Sequence, residues 1–346
     1  MSENKHLTPV FIVYADGRRL DLAHEGALQT VTVDDRLNGI GAFTLVFNTA
    51  ELGEQSIIAQ GSVVSIHLGY KDDIEELFSG EALYFRKMQP DNGPEQIEIK
   101  GSNALYKLLC GSRFRSFENK KTSDVIKGLI DSYSLSAEAD DFGAPKEFQT
   151  EESMTDYEYL IQQANAYGKQ VYADGSTIYV KNEISIRSDE IIYEWGKSLV
   201  SFESAVNIAG LAAGADYSGW DQGKNESFAG SAELGDLPVK IGGAEDWSAL
   251  APGGANAPES RMNLAAKDGD EAEQLALGKL QSNSYNFITA HGGGEGNYKL
   301  RPGMRVTVKM VGEDYEGEYM AEEVTHKIDR RGGYTSEFTL KRNMRP

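Results

Sequence analysis

The stretch His291-Gly-Gly-Gly-Glu-Gly296 comes nearest to a chemical motif, because HGGG-like turns can aim backbone N–H groups at an oxyanion. An oxyanion hole needs a nucleophile, and the chain holds no G-x-S-x-G elbow. Nor does the stretch end in the Gly-Lys-Ser/Thr of a phosphate-binding loop. Its glycines therefore predict a flexible loop leading into the Arg301-Pro302-Gly303 turn. The histidines, His6, His24, His67, His291 and His326, are scattered, with no H-x-x-x-H pair to hold a metal on a helix. His67, within Ser65-Ile-His-Leu68, and His326, after Val324, read as structural or surface residues.

Asp72-Asp73 with Glu75-Glu76 has ligand types suited to calcium but lacks the glycine and terminal glutamate of an EF-hand loop. It reads as a solvated hairpin tip. With 54 acidic residues, some pair must fall at glycosidase spacing by chance, so carboxylate pairs identify nothing here. Tyr157, Tyr159 and Tyr167 cluster about one helix, where rings could form an interface or pack in a core with a polar tip in water. Trp195, Trp220 and Trp247 form no regular aromatic ladder. No catalytic residue, cofactor site or metal site is expected.

The elements that would position these residues are mostly strands. From 9 to 105 apolar residues alternate with polar ones: Val10, Ile12 and Tyr14, then Phe43, Leu45 and Phe47, then Val64, Ile66, Leu68 and Tyr70, then Ile97 and Ile99. Asp16-Gly17 has the chemistry of a two-residue hairpin turn. After Leu105 the period changes. Thr122 or Ser123 is placed to cap a helix carrying Val125, Ile126, Leu129, Ile130 and Tyr133 on one face. Thr155 and Glu158 fit a capping box for a second helix with Tyr157, Leu160, Ile161 and Ala164, which Gly168 would end. Asp174-Gly175 then turns a hairpin.

Strands are expected again near 191–193, 199–202 and 206–217, and a long excursion or flexible insertion between about Gly219 and Pro258, where Gly, Ala, Ser and Asp leave little periodicity. A helix follows from Asp270 to Gln281, and the chain closes in strands around Val306–Met310, Tyr319–Val324 and Tyr334–Leu340.

At 346 residues the chain is expected to hold two or three domains. Its 40% apolar and 25% charged residues are globular, and 37 glycines against 9 prolines point to many turns between short strands. A formal charge of −20 would repel a phosphate backbone, and no Lys/Arg cluster stands out, so specific nucleic-acid binding is not expected. Cys110 is the sole cysteine, excluding an intrachain disulfide and fitting synthesis in a reducing cytoplasm. The N-terminus lacks a signal-peptide core, and the most apolar run, Ala205 to Ala215, is far too short to span a membrane, so neither secretion by that route nor membrane insertion is expected.

The closing stretches, Asn297-Tyr-Lys-Leu-Arg-Pro-Gly303, Gly317-Glu-Tyr-Met-Ala-Glu-Glu-Val-Thr-His326 and Gly333-Tyr-Thr-Ser-Glu-Phe-Thr-Leu-Lys-Arg342, resemble the phage late control protein D and VgrG-like family of baseplate hubs from contractile tails and injection systems. Lys121-Thr-Ser-Asp-Val-Ile-Lys-Gly-Leu-Ile130, Met154-Thr-Asp-Tyr-Glu-Tyr-Leu160, Tyr167-Gly168 and Val171-Tyr-Ala-Asp-Gly175 resemble the middle domain of those hubs.

The resemblance implies a β-rich α+β chain: a tail-tube-like barrel over 1–105, a small α+β domain over 106–200, and a second barrel over 201–346 holding the excursion (about 219–262) and the helix (about 270–281). It implies a structural protein rather than an enzyme: a homotrimeric ring that adapts a six-fold tube to a three-fold spike and meets tube, spike and other baseplate proteins. The protein would be made in the bacterial cytoplasm and assembled into a virion tail or injection-particle baseplate. Tyr157, Tyr159, Arg301 and Tyr334, with the Glu51–Gln60 and 219–258 segments, are the expected interface positions. Because the chain stops at Pro346, the spike, with any lysozyme activity, is expected on a separate polypeptide. Two alternatives stay open on residues alone: a cell-wall glycan hydrolase using some carboxylate pair, and a carbohydrate-binding adhesin module.

Overall fold

The computed structural model describes residues 8–48, 58–70, 73–89, 91, 93–147, 149–185, 189–221, 224–250, 259–262, 266–330 and 333–346. The N-terminal part is β1 (Pro9–Ala15), β2 (Arg18–Arg19), a short helix α1 (Leu22–Ala27), β3 (Leu28–Arg36), β4 (Ala42–Asn48), β5 (Val63–Tyr70), β6 (Asp73–Met88) and β7 (Gln96–Ser102). Asp16 and Gly17 both take positive φ, 50° and 77°, so the β1–β2 turn forms as their types require.

Phe43, Leu45 and Phe47 of β4 and Val64, Ile66 and Leu68 of β5 point into a core, in the expected phase. β1 has the opposite phase: Val13 and Ala15 are buried, while Val10, Ile12 and Tyr14 are only half-buried. Val10 through Tyr14 are all apolar or aromatic, so alternation could not fix which face turns inward. Pairing with β5, with Val13 opposite Ile66 and Ala15 opposite Val64, fixes it instead.

The middle part comprises a 3-10 turn (Ala104–Leu109), β8 (Ser112–Phe117), α2 (Thr122–Asp131), β9 (Ser136–Ala139), β10 (Gln149–Thr155), α3 (Asp156–Ala166), β11 (Gln170–Asp174) and β12 (Thr177–Lys181). The α3 capping box forms, with Thr155 Oγ1 accepting from Glu158 N at 3.1 Å and Glu158 accepting from Thr155 N at 2.7 Å. Gly168 follows the helix at φ 66°. The expected cap of α2 does not form: its N-cap is Lys121, and Thr122 turns its hydroxyl inward toward Tyr167 and Gln149.

The C-terminal part holds β13 (Ile191–Glu194), β14 (Leu199–Val206), β15 (Gly214–Asp221), β16 (Glu226–Glu233), β17 (Glu259–Met262), α4 (Gly269–Ser284), β18 (Ile288–Glu295), β19 (Arg305–Lys309), β20 (Gly317–Asp329) and β21 (Gly333–Arg342). Two expectations are corrected. The excursion is not a flexible insertion: β16, β15 and β17 form a sheet that packs on α4, and 3-10 turns follow at Leu234–Asp236 and Trp247–Ala249, with residues 251–258 lying outside the described ones. Periodicity is weak there because the helix comes so close that small residues are required. A Cβ on Gly230 would sit 2.2 Å from Glu273 N.

The glycine run at 291–296 is likewise mostly strand, not loop. β18 passes between β14 and β21, where a Cβ on Gly294 would lie 1.9 Å from Ser198 O and one on Gly292 would lie 2.7 Å from the Phe338 ring.

One 13-stranded sheet unites the two ends of the chain in the order β14-β18-β21-β20-β3-β4-β7-β6-β5-β1-β2, with β19 on β20 and β13 on β19. The chain is β-rich, as expected, but its described strands form no closed barrel. In place of two separate rings, β20 pairs along its second half with β3, from Glu323 opposite Arg36 to Asp329 opposite Thr30. The N-terminal core is accordingly completed by Tyr298, Ile328 and Tyr334, while a larger core runs from α2 and α3 through α4 to β18–β21.

Candidate interaction surfaces and the junction behind them

Buried polar side chains gather where the three parts of the chain meet. Arg301, 4% exposed, donates to the carbonyls of Tyr298, Leu300 (3.1 Å) and, across the junction, Glu76 (2.8 Å). His326 on β20 lies fully inside. Its Nε2 faces the Leu300 carbonyl at 3.0 Å and must donate, since a carbonyl only accepts. Nδ1 is then the acceptor for Tyr334 OH at 2.9 Å and Ser336 Oγ at 3.0 Å. Burial, reinforced by the Arg301 charge, lowers the imidazole to about 3, so this histidine is neutral at physiological pH.

Asp35 on β3 is equally buried and accepts from Tyr172 OH of β11 at 2.6 Å and from Arg36 N at 3.0 Å. Burial outweighs the hydrogen bonds and the Arg301 charge and raises its carboxyl to about 6. Beside it Asn38, at φ 54°, exchanges backbone and side-chain bonds with Val171 and Gln170, at 2.8 and 2.7 Å. Glu271 in the first turn of α4 is buried and accepts from Tyr167 OH, Lys146 Nζ (3.0 Å) and Lys267 N (2.7 Å), tying α4 to the middle part.

Three of the four side chains expected at an interface are interior. Tyr159, Arg301 and Tyr334 are 2%, 4% and 6% exposed and serve contacts within the chain. Tyr157 is half-buried, its hydroxyl bonded to the Asn38 carbonyl at 3.3 Å. The junction brings Arg301 and Tyr334 together, whereas Tyr157 and Tyr159 belong to α3. Of Glu51–Gln60, only the last three residues are described, and Ile58 among them is buried.

Exposed apolar side chains lie elsewhere, among them Leu22 in α1, Leu83 and Tyr84 on β6, Phe114 on β8, Val200 and Val206 on β14, and Trp220 on β15. The sequence signal for β6 was present in Glu81-Ala-Leu-Tyr-Phe85, where four successive apolar residues break the alternation. No signal marked β14 as a sheet edge. Among the described residues, no group of three or more His, Cys, Asp or Glu could hold a metal ion, and no helix is long and apolar enough to cross a membrane.

The sequence matches the family model described as the Alg8 N-terminal domain over residues 7–330. The chain belongs to that family. No curated protein matches it. Among solved structures, the chain is similar to a tail protein of Neisseria meningitidis, with TM-score 0.66, 13% identity and 97% of both chains covered. A tail protein of prophage MuSo2 from Shewanella oneidensis gives TM-score 0.66 and 12% identity over 97% of this chain and 99% of that one. An Escherichia coli component of the type VI secretion system gives 0.61 and 9% over 96% and 79%. At such identities the likeness is one of fold, and it extends over nearly the whole chain.

Proposed function

We propose that the protein is a structural hub of a contractile-tail or phage-like injection-particle baseplate, of the late control protein D and VgrG-like kind, three copies of which form a ring between a six-fold tube and a three-fold spike. The observation that carries this reading is the end-to-end sharing of one fold with phage tail proteins, 97% of each chain in the Neisseria case. The architecture supports it. Pairing of β3 with β20 makes one chain into a wall built from two strand-rich halves, and the buried Arg301 ties them together through its hydrogen bond to the Glu76 carbonyl. Such a subunit works by shape and symmetry, spreading force over repeated contacts.

Under this reading the partners are the tube protein, a separate spike and other baseplate proteins, and the site of action is the assembled tail. Solution mass by light scattering tests it, alone and with the product of an adjacent spike-like gene. Three copies of 37.9 kDa amount to 3 × 37.9, about 114 kDa. A chain that stays single under both conditions overturns the hub assignment.

A further inference from the structure

Two strands of the large sheet present unpaired edges. β14 pairs only with β18 along Leu199–Val206, apart from one bridge between Leu199 and Trp195. β6 is shared: its first half pairs with β5 as far as Glu81, and from Tyr84 to Met88 only β7 lies beside it. Among the described residues no strand covers the other side of either segment. Both edges carry large apolar side chains in water, Leu83 (40% exposed) and Tyr84 (50%) on one, Val200 (73%) and Val206 (43%) on the other. Exposed edges of this kind are templates for pairing and are normally blunted or covered.

We infer that the free edge of β6 pairs with the free edge of β14 in a second copy of this chain, so that the sheet runs continuously around the assembly. This rests on the ring-forming reading above and names the surfaces that close the ring. Strand parity selects the partner. From β14 to β6 the path β14-β18-β21-β20-β3-β4-β7-β6 has eight strands, each antiparallel to the next. β6 therefore runs opposite to β14, and a rotation about an axis along the strands brings the two edges together antiparallel.

Charge selects the same pairing. Arg86 and Lys87 stand exposed on the β6 segment, with Glu98 and Glu95 as neighbours at 3.2 and 2.8 Å, while β14 carries exposed Glu203. Cations along β6 discourage it from meeting another β6, and the glutamate discourages β14 from meeting another β14. The unlike pair is the favoured one, and a head-to-tail contact closes into a ring instead of a two-fold dimer.

Hydrogen exchange followed by mass spectrometry on the full chain, across concentrations spanning assembly measured by light scattering, tests the pairing. In the assembled state the amides of residues 83–88 and 200–206 exchange about tenfold or more slower than in the single chain. Glu203→Lys weakens assembly about tenfold, as does the pair Arg86→Glu with Lys87→Glu, and combining all three changes in one chain, which makes every contact of the ring complementary again, restores it. If a charge variant misfolds by circular dichroism, exchange in the unaltered chain still decides. Three-copy particles whose two edges exchange at single-chain rates overturn this pairing and leave the hub reading standing. A chain that never assembles overturns both.

Discussion

Asp35 and His326 sit on neighbouring strands, β3 and β20, within the field of the same Arg301 charge, and burial displaces them in opposite senses. Asp35 titrates near 6 in the fold against an ordinary 3.8, so the folded chain takes up its proton first and stability rises as pH falls from about 6 to about 4. His326 titrates near 3 against an ordinary 6.5, so the unfolded chain is protonated first and stability falls as pH drops below about 6.5. Between pH 6 and 4 the two offset one another. Asp35→Asn leaves an acceptor for Tyr172 and removes the Asp35 contribution. Relative to the wild type it is expected to gain stability at pH 7.5 and to lose that advantage at pH 4, a difference of about 3 kcal/mol for a shift of two units. Urea unfolding of both proteins at the two pH values measures this. Equal differences at pH 7.5 and pH 4 would show that Asp35 is already ionised without penalty.

Glycines show how far an element depends on its neighbours. Gly128 lies exposed in the interior of α2 with nothing within 4 Å of a Cβ, so Gly128→Ala is expected to stabilise the chain by about 0.5–1 kcal/mol through helix propensity alone. Gly278 lies in α4, where a Cβ would stand 2.4 Å from Ala166 O and 2.6 Å from Tyr167 Cα, so Gly278→Ala is expected to cost on the order of 1–3 kcal/mol by forcing α4 away from the end of α3. Thermal unfolding of the two variants distinguishes them, and a stabilising Gly278→Ala would mean that α4 can retreat freely.

The same contrast explains what could be read from sequence. The capping box at Thr155, the Asp16-Gly17 turn and the faces of β4, β5 and α2 depend on local spacing, and local spacing revealed them. The strand at 288–295 and the sheet at 214–233 owe their form to close approach by partners distant in sequence. Their glycines and alanines imitate a loop when read alone. Arg301 and Tyr334, expected at an interface, lie in the internal junction, since no local pattern tells a polar side chain that serves a buried network from one that serves a partner.

At the scale of the molecule, the N-terminal and C-terminal strands of the large sheet depend on each other through the β3–β20 pairing. Thr30 and Asp329, 299 residues apart, are joined by a hydrogen bond of 3.3 Å, and Thr325 donates to Asp34 at 2.7 Å. The N-terminal core is closed by Tyr298, Ile328 and Tyr334, and the middle part is held to both ends through Asn38, Tyr172 and Glu271. Closing so long a loop costs conformational entropy that is recovered only when both ends are in place, which favours slow, concerted folding.

A chain divided into three independent domains at about 105 and 200 would lose them one at a time in denaturant. The shared sheet instead predicts one transition for both ends. Exposing β3 and uncovering the N-terminal core would follow directly from loss of β20. Hydrogen exchange in rising guanidinium, following peptides from β4 and β5 beside peptides from β18 and β21, is expected to give coincident midpoints. Protection that persists in β4 and β5 after β18 and β21 have opened would mean that the N-terminal strands fold by themselves and that the β3–β20 pairing only docks two finished units.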